Sequence, residues 1–148
     1  MCEKQKLVRT GFRVDRQVYE NFKLSVKGYS DSSGVKITLD QVMRFLVDYT
    51  LKLDRGKFHK MFSLYISEKM REALNGKKAG PLVQTALKLE PSVFKELKLF
   101  VAYLTEQSSI TVTIEHILQF AIDRMIKLDK KEFVDLYTSY MLEKWRNI

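Results

Sequence analysis

Residues 7–15 read LVRTGFRVD, and residues 82–90 read LVQTALKLE. In the first stretch Arg9, Gly11 and Arg13 alternate with Val8, Thr10, Phe12 and Val14. In the second, Gln84, Ala86 and Lys88 alternate with Val83, Thr85, Leu87 and Leu89. A period of two is strand spacing, so each stretch sends its cationic or amide side chains to one face and its apolar ones to the other. Such a face offers hydrogen-bond donors to an anionic partner. Any half-buried sheet also turns its charges outward, so the alternation alone does not decide between recognition and simple solvation.

No other chemistry competes with that face. His59 and His116 stand apart from any cysteine or carboxylate at metal-ligand spacing, and a surface or capping place is expected for both. Cys2 has no evident base beside it, and no glycine-rich phosphate loop occurs. Asp48 and Asp123 are helix residues, expected at a surface or interface rather than in acid–base catalysis. No enzyme activity, metal or cofactor is expected. The chain has 148 residues, 45% hydrophobic and 30% charged, with a formal net charge of +8. That surplus favours an anionic partner, nucleic acid first and an acidic membrane or protein second. The single cysteine cannot form an internal disulfide and fits a reducing, cytoplasmic setting. No apolar run is long enough for a membrane span, and the opening MCEKQK lacks the apolar stretch of a secretory signal.

These strands need elements to hold them, and the chain supplies the same set twice. Aligning residues 7–71 with 82–146, at an offset of 75, gives 19 identities in 65 positions. They include Thr10/Thr85, Thr38/Thr113, Phe45/Phe120, Asp48/Asp123, Phe58/Phe133 and Tyr65/Tyr140. The break falls in NGKKAGP, residues 75–81, which has linker composition. Each copy predicts a strand and then a helix, from about Asp15 to Tyr29 and from Pro91, where proline suits a first helical position. A polar turn follows (SDSSGVK and TEQSS). A second helix starts at Thr38 or Thr113. TLDQ has the form of a capping box, whereas TIEH keeps the cap and has His116 in place of the box residue. Third helices are predicted from about Lys57 to Leu74 and from about Lys130 to Arg146. One strand and two helices cannot bury a sufficient core alone, and a lone strand leaves both edges unpaired. Two copies solve both problems if their strands pair antiparallel over the helices. Residues 1–75 and 76–148 are thus the two copies, expected to form one intertwined unit.

FRVDRQVYENF and LKLEPSVFKEL resemble the strand-to-helix junction of ribbon-helix-helix proteins, the superfamily of the methionine and Arc-type repressors. The Thr-capped second helix after a polar turn is similar too. The resemblance covers residues 7–53 and 82–128 and excludes the third helices. It implies a mainly α fold with one short two-stranded antiparallel ribbon, here a tandem pseudo-dimer in a single chain, as in some plasmid-transfer and viral regulators. It further implies that the outer ribbon face reads bases in the major groove of double-stranded DNA. The readers would be Arg9, Gly11 and Arg13 from one strand, and Gln84, Ala86 and Lys88 from the other. The amides at the start of the second helices would hold phosphates, which places Thr38 and Thr113 at those clamps.

The residues suit that role on their own chemistry. The major groove admits a two-stranded ribbon, Arg and Lys donate to guanine O6 and N7, and Gln can pair with adenine. Gly11 and Ala86 would let the ribbon approach the bases closely. Asp40 and Glu115, just inside the second helices, cut the other way, since their charge repels a phosphate. Residues 1–75 carry a surplus of six positive charges and residues 76–148 a surplus of two. The first copy is therefore expected to carry more of the phosphate affinity, through Lys4, Lys6 and Arg16.

The reading that results is a sequence-specific double-stranded DNA-binding protein, expected to act as a transcriptional repressor in the cytoplasm, associated with nucleoid or viral DNA. An accessory role in plasmid transfer, partition or genome packaging is the alternative. A helical interaction module, such as an antitoxin or inhibitor, is the rival from another class. Phe58, Met61, Phe62, Tyr65 and Ile66, and Phe133, Leu136, Tyr137, Tyr140 and Met141, form helical stripes. They are expected to line the core, or else to join pseudo-dimers on adjacent sites. Trp145 would be a final anchor or part of that contact.

Overall fold

A computed structural model describes residues 6–77 and 80–146. Lys4 and Cys2 lie outside the described residues. The chain is mainly helical, with one two-stranded antiparallel sheet. In order come β1 (Val8–Asp15), α1 (Arg16–Ser33), α2 (Leu39–Lys52) and α3 (Arg55–Leu74). Then follow β2 (Leu82–Leu89), α4 (Pro91–Ser108), α5 (Ile114–Lys127) and α6 (Lys130–Arg146). Among the described residues no helix is long and apolar enough to cross a membrane.

The strands pair in one register: Arg9 opposite Lys88, Gly11 opposite Ala86, Arg13 opposite Gln84. Beneath the ribbon lie Phe12, Val14, Leu87 and Leu89, each nearly solvent-free. Asp15 ends β1 and caps α1, accepting from the amides of Gln17 (2.9 Å) and Val18 (3.1 Å). The counterpart α4 has Glu90 at the cap without such a bond, and Pro91 opens it instead. The Arg16 amide donates to the Pro81 carbonyl at 2.9 Å and closes the ribbon end.

The first helices run about a turn further than the polar composition predicts. Ser30–Ser33 and Thr105–Ser108 stay helical, and the chain turns at Gly34 and Ser109, both left-handed, with φ of 71° and 60°. The hydroxyls that look like loop residues hold the turn. Ser30 accepts from the Ile37 amide (3.1 Å) and Thr105 from the Val112 amide (3.0 Å). Short polar side chains serve helix ends as readily as loops, and composition does not separate the two.

The third helices cross over. Phe58 and Phe62 of α3 pack edge-on against Phe120 of α5, and Phe58 also meets Phe100 of α4. In mirror fashion Phe133 of α6 stacks on Tyr29 of α1 and meets Phe45 of α2 edge-on. These rings are at most 5% exposed. Each third helix thus covers the first and second helices of the opposite repeat. The Tyr140 hydroxyl donates to the carboxylate of Asp48 at 2.5 Å. Burial, with Asp123 and Glu72 nearby, pushes the Tyr65 hydroxyl up to about 12. Identical Tyr and Asp residues recur because the same crossing is made twice. The distal parts of α3 and α6 face outward: Met70, Leu74, Met141, Leu142 and Trp145 are exposed. The stripes line the core as expected, every residue of them but Met141 lying in it or packed against it, and Trp145, 77% exposed, is not buried against the described residues.

Candidate functional site

All six ribbon residues expected to share a face do so. Arg9, Gly11, Arg13, Gln84 and Lys88 are exposed and Ala86 is half-buried. Five of them, Arg9, Gly11, Gln84, Ala86 and Lys88, line an open concavity together with Asp40, and Arg13 lies outside it. The Gly11–Ala86 pair lies at the middle of the ribbon. A Cβ on Gly11 would stand 3.1 Å from Nε2 of Gln84, so the missing side chain gives that amide room over the strand. Arg9 and Lys88 form one cationic end; Arg13 and Gln84 form the other. Among the described residues no carboxylate lies within 4 Å of the cationic atoms of Arg9 or Lys88.

Arg13 is different. Its Nε and Nη2 donate to the two carboxylate oxygens of Glu115 at 3.2 and 3.1 Å, a bidentate pair. Its own backbone amide donates to Glu115 Oε2 at 2.9 Å, and its carbonyl accepts from Gln119 Nε2 at 2.8 Å. Hydrogen bonding to Arg13, first through the guanidinium, holds the Glu115 carboxyl below its usual range, and Glu115 in turn raises Arg13. The Arg13 side chain nevertheless stays 59% exposed.

The opposite edge has a weaker version. Asp40, the counterpart of Glu115, accepts from the Lys88 amide at 3.4 Å. Its other oxygen faces Arg44 Nε at 3.1 Å. Arg44 is the counterpart of Gln119. The two acids that the sequence marks as obstacles to a phosphate therefore hold the ribbon's outer edges. They satisfy strand amides that would otherwise be open to another chain. The usable signal in the sequence is the recurrence of an acid and a long polar residue four apart, at the same place in both copies.

The second helices begin as expected. Thr38 Oγ1 accepts from the Gln41 amide (3.2 Å), and Gln41 Oε1 accepts from the Thr38 amide (2.9 Å). In the second copy the box is also complete. His116 Nδ1 accepts from the Thr113 amide at 3.1 Å, and Thr113 Oγ1 accepts from the His116 amide at 3.3 Å. An imidazole nitrogen carrying a lone pair takes the part of the glutamine oxygen. Each box leaves two first-turn amides, those of Leu39 and Asp40 and those of Ile114 and Glu115, without an intrahelical acceptor. These helix starts flank the ribbon, since Asp40 meets β2 and Glu115 meets β1. Lys6 and Arg16 are exposed beyond the two ends of β1. His59 is half-buried rather than on the surface, and its Nε2 has no hydrogen-bond partner among the described residues.

No family model, curated protein or solved structure shows significant similarity to this chain. Among the described residues no group of three His, Cys, Asp or Glu side chains is placed to hold a metal ion.

Proposed function

We propose that this protein binds double-stranded DNA sequence-specifically, laying the ribbon in the major groove as a tandem ribbon-helix-helix unit. One observation carries the reading. Three cations and a glutamine amide stand on the outer face of a two-stranded ribbon, with Gly11 and Ala86 paired at its middle. A ribbon of that width fits the groove, and those donors match guanine and adenine edges. The net charge of +8 supplies attraction to the backbone. The free amides at the starts of α2 and α5, beside the ribbon, suit phosphates on either strand.

Tight, positioned occupancy suffices to block transcription, so repression is the role we favour. An accessory role at a transfer or replication origin uses the same contacts. The exposed distal residues of α3 and α6 support a second reading, a protein-interaction module.

The test is selection of bound fragments from random duplexes, followed by anisotropy titration of the winning duplex against bulk DNA. A preferred duplex bound at least about a thousandfold more tightly supports the reading. Equal affinity for all duplexes overturns it and leaves the interaction module.

A further inference from the structure

The two ends of the ribbon are built differently, and the difference lies in what holds the cation. At one end Glu115 grips the Arg13 guanidinium with both oxygens and the Arg13 amide with one of them. Gln119 pins the Arg13 carbonyl at the same place. At the counterpart position Asp40 reaches only the Lys88 amide, and its second oxygen is turned to Arg44. The Asp40 side chain is one methylene shorter, and Lys88 presents no planar fork to be gripped. The Lys88 ammonium is therefore free to swing.

A guanidinium has five donors, and Glu115 engages only Nε and one terminal nitrogen. The remaining N–H groups stay available on a side chain that is still largely exposed. An arginine held on one edge loses less rotamer entropy when its other edge meets a base. The carboxylate also keeps the fork from swinging to a phosphate.

We infer that Glu115 is a positioning residue that aims Arg13 at a guanine, so that sequence discrimination is concentrated at the Arg13 end of the ribbon. The inference rests on the DNA-binding reading proposed above. The Arg9–Lys88 end supplies adaptable cations that tolerate more sequences. The preferred site is therefore asymmetric, with a sharply read guanine on one side only.

The experiment scans every single base-pair change in the selected duplex with wild type, Arg13→Ala, Glu115→Gln, Glu115→Asp and the Arg13→Ala/Glu115→Gln double variant. Glu115→Asp copies the geometry of the other edge, where the acid holds the strand amide and frees the side chain. Thermal melts and circular dichroism accompany each titration. Wild type is expected to lose most affinity, about tenfold or more, for changes at one position on one side of the site. Glu115→Gln and Glu115→Asp flatten that position by about tenfold and leave the other side unchanged. In the Arg13→Ala background, Glu115→Gln has no further effect on discrimination.

Three results overturn the inference while leaving DNA binding intact. One is a uniform gain or loss across all duplexes, which marks Glu115 as a charge or a strand clasp only. Another is equal flattening at both ends. The third is tighter and more selective binding by Glu115→Gln, which means that the carboxylate withholds Arg13 instead of aiming it. A wild type without a preferred duplex overturns the DNA reading itself, and the inference with it.

Discussion

Gly11 lies directly opposite Ala86, its own counterpart at an offset of 75 residues. No other cross-strand pair in the ribbon joins two counterparts, so the pairing is symmetric about this one. Arg9 thereby faces Lys88 and Arg13 faces Gln84, and the two ends carry different donors. The smallest side chains occupy the middle, where the ribbon would come nearest to a partner.

Adding a methyl group at that centre separates folding from binding. A Cβ on Gly11 would approach Gln84 Nε2 at 3.1 Å, and that atom ends a flexible chain that can move aside. Gly11→Ala should leave urea-unfolding stability unchanged or raise it by up to about 1 kcal/mol, because glycine weakens a strand. Anisotropy titration on the selected duplex should show weaker binding, since the added methyl crowds the middle of the face and displaces the glutamine. Undiminished affinity would remove the ribbon centre from the interface.

Arg9 and Lys88 have no carboxylate partner among the described residues, so removing either should not touch the fold. Arg9→Ala and Lys88→Ala are each expected to weaken the selected duplex by about 1–3 kcal/mol if they reach base edges. Their melting temperatures should match wild type, as exposed strand positions matter little to stability. A loss shared equally by bulk DNA would reassign both residues to phosphates.

Salt dependence tests the uneven charge of the two copies. Neutralising Lys4, Lys6 and Arg16 together should flatten the slope of log K against log salt by about 0.9 for each phosphate they pair with. Neutralising the exposed Lys95 and Lys98 of the second copy should flatten it less. Equal changes per charge would show that both copies hold the backbone alike.

Stability should fall at both pH extremes for nameable reasons. The folded-state pKa of Glu115 is lowered, so its contribution is present above the ordinary carboxylate value, near 4.5, and is lost as pH falls through the folded value. Glu115→Gln should remove that part of the acid limb in urea titrations between about pH 2.5 and 6, and the two curves should converge at the lowest pH. The Tyr65 hydroxyl is raised from 10.0 to about 12, so its contribution is full below pH 10 and is lost as pH rises through about 12. Tyr65→Phe should soften that alkaline limb. Unchanged limbs would mean that these groups carry little of the pH dependence.

Ser109 holds a left-handed turn that the first copy gives to Gly34. Ser109→Gly should stabilise the fold by about 0.5–1 kcal/mol, relief of the strained side chain exceeding the added backbone entropy. A urea midpoint at or below that of wild type would show that the serine is unstrained there.

Much of this molecule is legible in the chain itself. Period-two alternation marks both strands, Thr38 and Thr113 mark the second helices, and the 75-residue offset implies that the strands must meet. Those signals are local, or repeat local ones, and local sterics and hydrogen bonding enforce them. The tertiary structure decided what sits beside what. The grip of Glu115 on Arg13 spans 102 positions, and the bond from Tyr140 to Asp48 spans 92. The acid and long polar residue that recur four apart mark Glu115 and Gln119 as a unit, but nothing in the flanking residues names the partner in either pairing. The crossing of α3 and α6 onto opposite repeats is equally hidden. An apolar stripe states that a helix must be covered and not by which neighbour, because burial is non-directional and only shape selects among apolar partners.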